Sequence, residues 1–91
     1  MSTQEEVLEK VVTDSKKKKE NEIVLYNDDH NTFDHVIETL IYVCEHTPEQ
    51  AEQCSLLVHY KGKCTVKTGP YPELKPRCSK LLEAGLSAEI V

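Results

Sequence analysis

Apolar residues recur at the spacing of an α-helix in one stretch of the chain, and this pattern limits the possible folds more than any other feature. The apolar positions are Phe33, Val36, Ile37, Leu40, Ile41 and Cys44. Residues three and four apart share one side of a helix. The pattern therefore predicts an amphipathic helix over about residues 33–45, with Asn31 or Thr32 as its N-cap. Its apolar face needs a second layer of structure to cover it.

A second helix is predicted by the residues that start it. Thr47 can cap a helix, Pro48 suits the first helical position, and Gln50 completes a capping box. The apolar face of this helix consists of Ala51, Cys54 and Val58. We expect the helix to end near residue 59 or 60, with Gly62 in the connection that follows.

The remaining elements predict a small sheet and a third helix. The apolar run 23–26 and the alternating segment 63–67 are typical of strands, and residues 86–91 predict a last short strand. Between them, a helix is expected to begin near Lys75, because Pro76 is unfavourable inside a helix, and to end at Gly85. The order β-α-α-β-α-β predicts an α+β domain, with helices packed on a three-stranded antiparallel sheet.

Length and charge exclude several classes of protein. The 91 residues allow one small domain, and 11 Lys+Arg against 16 Asp+Glu give a net charge of −5, which argues against nucleic-acid binding. We expect residues 1–20 to form a disordered, flexible N-terminal tail, because they hold a lysine run and no aromatic residue, and residues 21–91 to form the domain. No run approaches the about 20 apolar residues of a spanning helix, so we expect no membrane contact and a cytoplasmic protein.

The cysteines and histidines give no sign of a metal site. The four cysteines, at positions 44, 54, 64 and 78, form no C-x-x-C pair. No secretory context favours disulfides, so we expect small buried thiols, and we expect no cofactor and no metal. His30, His35 and His46 are expected at the surface.

One polar cluster could carry chemistry. Asn27, Asp28 and Asp29 lie between the first strand and the first helix, where carboxylates complement the helix dipole. The cluster is either a capped turn or a site for a cation or an amine, since its oxygens are acceptors. His59 interrupts an apolar stretch at the end of the second helix, and it is either a hydrogen-bonded structural residue or part of such a site. No nucleophile motif occurs, so an enzyme is not expected.

Two motifs give the sequence a family resemblance. Residues 25–29 (LYNDD), the helix after them and residues 58–63 (VHYKGK) together resemble the ClpS family, the adaptors of the Clp AAA+ protease that recognise N-degrons. The likeness covers about residues 22–67 and, more loosely, the C-terminal part. It implies two kinds of partner: the N-terminal domain of a Clp ATPase, and substrate proteins whose free N-terminal residue is bulky and apolar.

The resemblance also implies roles for particular residues. The family's amine-binding positions fall on Asn27, Asp28, Asp29 and His59. Its side-chain pocket falls on Asn31, Phe33, Val36, Ser55 and Val58, with either Leu86 or Ala88. The family commonly has Thr, Met and Met at the positions of Asn31, Phe33 and Ser55, so the preferred N-terminal residue is left open. Lys61 and Lys63 are candidates for docking to the ATPase.

Two hypotheses stand beside the adaptor. The chain could be a structural protein-interaction module of similar fold without N-degron binding, in which residues 27–29 only cap a helix. It could also be a small acid/base enzyme that uses Asp29 and His59. Binding of a free N-terminal amine separates the adaptor from the module, and turnover of a small substrate would indicate the enzyme.

Overall fold

The computed structural model of the protein describes residues 20–91. The elements, in chain order, are β1 (Asn21–Tyr26), α1 (Phe33–Cys44), α2 (Pro48–Lys61), β2 (Lys63–Gly69), α3 (Tyr71–Glu83) and β3 (Ser87–Ile90). The predicted α+β class and the order β-α-α-β-α-β are confirmed. The tail expected over residues 1–20 lies outside the described residues except for Glu20. Within residues 20–91, no helix is long and apolar enough to cross a membrane.

The sheet has β1 at its centre. Its strand order is β2-β1-β3, and β1 is antiparallel to both neighbours. Ile23, Val24 and Leu25 are all buried, because a central strand that packs under helices has little exposed surface. The pairing with β2 shifts after Ile23, so that Val66 forms a bulge with no partner residue on β1.

Local capping chemistry sets the ends of the first two helices. Thr32, and not Asn31, is the N-cap of α1, since its hydroxyl accepts from the His35 backbone N–H at 3.1 Å. The predicted capping box of α2 is present, with reciprocal hydrogen bonds of 3.1 Å between Thr47 and Gln50. Helix α2 ends at Gly62, whose φ of 93° lies in the left-handed region that favours glycine.

The third helix begins earlier than predicted. It starts at Tyr71 rather than near Lys75, and Pro76 lies inside it. Two backbone N–H groups of its first turn, those of Glu73 and Leu74, donate to the carbonyl of Pro70. Pro76 comes one turn later and lacks the backbone N–H that would donate to the carbonyl of Pro72, an exposed residue. Water can satisfy that carbonyl, so the proline is tolerated here.

The core lies between the sheet and the three helices. Its largest fully buried side chains are Ile23, Leu25, Leu40, Leu74, Leu81 and Cys44. All four cysteines are free thiols; Cys44 and Cys78 are buried as predicted, whereas Cys54 and Cys64 are only half-buried. Burial is the main cause that raises the pKa of Cys44 to about 11 and that of Cys54 to about 12. Both groups are therefore protonated at neutral pH and behave as small apolar side chains.

His46 was expected at the surface, and that expectation is wrong. The side chain is only 7% exposed, and its Nε2 lies 2.7 Å from the carbonyl oxygen of Val66 in the bulge. A carbonyl can only accept, so Nε2 carries the proton. Val66 is the bulge residue, and His46 supplies a donor to its carbonyl. His35 is half-buried, with Nε2 2.9 Å from the Ala84 carbonyl, and His30 is exposed as predicted.

Candidate functional site

A pocket of about 510 Å³ opens where the end of β1 meets the last turns of α2. Its polar lining includes Asn27, Asp28, Asp29 and His59. This volume lies within the range of about 300–1,000 Å³ of small-ligand sites. The four residues that sequence analysis assigned to amine binding thus line one pocket, although about 30 positions separate His59 from the others.

A single backbone contact helps to bring these distant residues together. The Asn27 N–H donates to the Gly62 carbonyl at 2.9 Å, immediately beyond the pairing of Tyr26 with Lys63. Gly62 closes α2, and His59 lies in the last turn of that helix. The turn after β1 is therefore fixed beside the end of α2.

Asp28 holds the turn in shape. Its Oδ1 accepts from the backbone N–H groups of His30 at 2.9 Å and Asn31 at 3.1 Å. The Asn31 amide nitrogen donates to both carboxylate oxygens, at 3.1 and 3.0 Å, and also to the Gly85 carbonyl at 2.9 Å. Ser87 Oγ lies 3.4 Å from Oδ2. The Asp28–Asn31 pair thus ties the turn to the segment between α3 and β3.

These contacts also set the ionisation of Asp28. Burial acts to raise the pKa of its carboxyl, but the hydrogen bonds from His30 and Asn31 outweigh burial and hold the pKa below its ordinary value of 3.8. Asp28 is therefore an anion at neutral pH, and it contributes negative charge to the pocket wall.

The other polar residues of the pocket keep their side chains available. Within residues 20–91, the side chains of Asn27 and Asp29 make no hydrogen bond or ion pair, and neither ring nitrogen of His59 has a partner. All three residues are exposed. The His59 ring packs edge-on against Tyr60, with the ring centroids 4.8 Å apart. An amide oxygen, a carboxylate and an imidazole thus face the pocket with unused acceptor capacity.

Apolar side chains line the rest of the pocket. Val36 from α1, Val58 from α2 and Leu86 before β3 contribute to this wall. Phe33 also lines the pocket and is 40% exposed. Of the two alternatives near the C-terminus, Leu86 lines the pocket and Ala88 does not. Ala88 pairs with Leu25 further along β3.

Ser55 is the exception in this wall. It lines the pocket and is only 3% exposed, and its hydroxyl has no hydrogen-bond partner within the described residues. The sequence resemblance assigned Ser55 and Asn31 to a side-chain pocket, and both residues line this one. Sequence analysis gave no sign that the hydroxyl would be unpaired.

Sequence analysis missed four residues of the pocket. They are Leu25, Tyr26, Leu56 and Tyr60. Leu25, Tyr26 and Tyr60 lie within the two motifs, and Leu56 lies beside Ser55, so these positions were the available signal. The candidate docking residues Lys61 and Lys63 are exposed and lie outside the pocket. Within residues 20–91, no group of three His, Cys, Asp or Glu side chains could hold a metal ion.

The pocket and the fold can now be compared with known proteins. Residues 16–89 match the family described as "ATP-dependent Clp protease adaptor protein ClpS". Because this match spans most of the chain, it defines the class: the chain belongs to a family of adaptors that serve an ATP-dependent protease and are not themselves the protease. That family is ClpS, and the resemblance found in the sequence is confirmed.

Individual relatives agree with the family match. The ClpS adapter of Thermosynechococcus vestitus is 36% identical over 66 residues, which are 71% of this chain and 70% of that protein. The ClpS adapter of Acetivibrio thermocellus is 39% identical over 71 residues, which are 78% and 72% of the two proteins. Agrobacterium tumefaciens ClpS2, solved bound to L-phenylalaninamide, has a TM-score of 0.68 at 18% identity, covering 81% of this chain and 96% of its own. This last likeness shows a common fold.

Proposed function

We propose that this chain binds proteins whose N-terminal residue is bulky, hydrophobic and free at its α-amine, and delivers them to a Clp ATPase for degradation. One observation carries the proposal. A single pocket joins acceptors with unused capacity, on Asn27, Asp29 and His59, to a wall made of Val36, Val58 and Leu86. A free N-terminal residue has the same two parts, a cationic amine and an apolar side chain.

The polar side of the pocket suits an α-amine. An α-amine has a pKa of about 7.7–8.0, so at neutral pH it is mostly an ammonium group with three donors. The Asn27 amide oxygen and the Asp29 carboxylate accept from it, and an unprotonated ring nitrogen of His59 can accept directly or through a water molecule. Asp28 contributes charge and holds the turn in shape. Internal residues and acetylated termini lack this ammonium group.

The apolar side supplies binding energy. An aromatic side chain buries about 150–250 Å². At about 25 cal/mol per Å² this gives about 4–6 kcal/mol before the cost of association is subtracted. Each lost hydrogen bond to a charged group costs about 1.5–3 kcal/mol, a factor of at least about ten in affinity. Both parts of the ligand are therefore needed for tight binding.

The test uses a fluorescent peptide that begins with Phe, and anisotropy as the readout. We expect saturable binding that an acetylated N-terminus removes. Asp29→Asn and His59→Ala should each weaken binding at least about tenfold. The matched controls are Asp34→Asn and His30→Ala, which change an exposed acid and an exposed histidine outside the pocket. Equal binding of the free and the acetylated peptide would refute the proposal.

Delivery to the ATPase is the second half of the proposed function. We expect docking to the N-terminal domain of the ATPase, with Lys61 and Lys63 as candidate contacts, and activity in the cytoplasm. Degradation of a Phe-initiated reporter by a purified Clp ATPase and protease should then depend on this chain. Lys61→Ala and Lys63→Ala should reduce degradation and leave peptide anisotropy unchanged. A loss of peptide binding in these variants would refute the docking assignment.

A further inference from the structure

The buried hydroxyl of Ser55 is a polar group for which the fold of residues 20–91 provides no partner. The residue is 3% exposed, and its Oγ accepts and donates nothing within the described residues. A helical serine or threonine can instead bond the carbonyl four residues back. Thr39 of α1 does so, with its Oγ1 2.7 Å from the His35 carbonyl oxygen. Ser55 does not.

The position of Ser55 connects this hydroxyl to the ligand site. Ser55 and His59 both line the pocket and are four residues apart on α2, about one helical turn or 6 Å along the helix axis. A side chain that runs from an α-amine near His59 along α2 to Ser55 spans a distance comparable to the length of an aromatic side chain. The tip of a bound ring therefore comes close to the serine hydroxyl.

Resting on the proposed function, we propose that Ser55 makes this pocket select an N-terminal tyrosine over phenylalanine. The Oγ is buried in the free protein, so this contact requires the Ser55 side chain to rotate to another staggered rotamer. A hydroxyl can both donate to the phenol and accept from it. The unpaired Oγ has lost its hydrogen bonds to water in the free protein. Ser55 therefore gives up no hydrogen bond to water when the phenol binds, and only the phenol loses hydration.

The expected preference is moderate. A net hydrogen bond contributes about 0.5–1.5 kcal/mol, so the Tyr peptide should bind about two- to tenfold more tightly than the Phe peptide. A pocket with apolar contacts alone would give the opposite order, because tyrosine loses hydration of its hydroxyl on burial without gaining a partner. The order of the two affinities therefore tests the role of Ser55.

The experiment measures Kd for two peptides that differ only in Tyr or Phe at position 1, against the full chain and its Ser55→Ala variant. We expect the ratio of Tyr to Phe affinity to fall to about one or below in Ser55→Ala, because the variant lacks the hydroxyl that would bond the phenol. Ser79→Ala, at an exposed serine on α3, is the matched control and should keep the preference. Thermal melts confirm that each variant folds.

The outcomes separate the two proposals. Equal or weaker binding of the Tyr peptide to the unaltered chain would overturn the Ser55 inference and leave amine recognition standing. A Tyr preference that survives in Ser55→Ala would also overturn it, because another group would then be the partner. Failure of both free peptides to bind would overturn the proposed function together with the inference.

Discussion

Replacing Asp28 by alanine should destabilise the fold as well as the pocket. The carboxylate accepts from two backbone N–H groups, those of His30 and Asn31, and from the Asn31 side chain. Asn31 in turn donates to the Gly85 carbonyl, and Gly85 directly precedes Leu86 of the pocket wall. Loss of the carboxylate therefore frees the turn and weakens its link to β3.

The size of the effect follows from these contacts. Hydrogen bonds to charged groups contribute about 1.5–3 kcal/mol each, and water replaces part of that at this half-exposed site. We expect Asp28→Ala to lower the free energy of unfolding by about 2–3 kcal/mol, or the Tm by about 10 °C or more. Asp28→Asn keeps an oxygen for the backbone donors but places an NH₂ group against the Asn31 amide nitrogen. Asp28→Asn should therefore lower the free energy of unfolding by about 1 kcal/mol.

Urea unfolding at several pH values is the assay. The folded-state pKa of Asp28 is lowered, so its contribution is fully present above about pH 4 and is lost as the pH falls through the folded-state pKa. The difference between the unaltered chain and Asp28→Asn should shrink in acid. A cost below about 0.5 kcal/mol for Asp28→Ala at pH 7 would refute this account of the turn.

Three further predictions concern the fold. His46→Ala should lower the free energy of unfolding, measured with urea, by about 2–3 kcal/mol, because it leaves a cavity and removes the donor to the Val66 carbonyl. An unchanged midpoint would contradict the buried hydrogen bond. Glu45→Gly should raise the free energy of unfolding by about 0.5–1 kcal/mol, because Glu45 has a φ of 59° and its ion-pair distances are 3.9 Å at an exposed site. Cys44 should react with a thiol reagent only as fast as the protein opens, because it is buried and protonated; rapid labelling of the native protein would argue against its place in the core.

Features determined by neighbouring residues were predictable from the sequence. The capping box of Thr47 and Gln50 needs only four consecutive residues, and the helical periodicity of residues 33–44 is independent of the rest of the chain. The Pro76 prediction failed for a local reason as well. A proline lacks one N–H, and the energetic cost depends on whether the carbonyl left unpaired can reach water.

Features that join distant segments were not predictable in this way. His46 is buried and donates to the carbonyl of Val66, the bulge residue 20 residues later, and no periodicity signals a bulge. The roles of Asp28 and Asn31 depend on the Gly85 carbonyl, which only the folded chain brings near. The family resemblance was enough to propose which residues line the pocket. It could not predict that the Ser55 hydroxyl is unpaired, because that depends on the packing around it.

The central claim is that one pocket holds both the amine and the side chain of an N-terminal residue. An NMR titration of the ¹⁵N-labelled chain with a Phe-initiated peptide tests it most directly. The account predicts saturable shifts at Asn27, Asp29, Val58 and His59, little change at the exposed Tyr42 on α1, and no shifts with the acetylated peptide. Shifts confined to the surface around Tyr42, or equal shifts with both peptides, would contradict it.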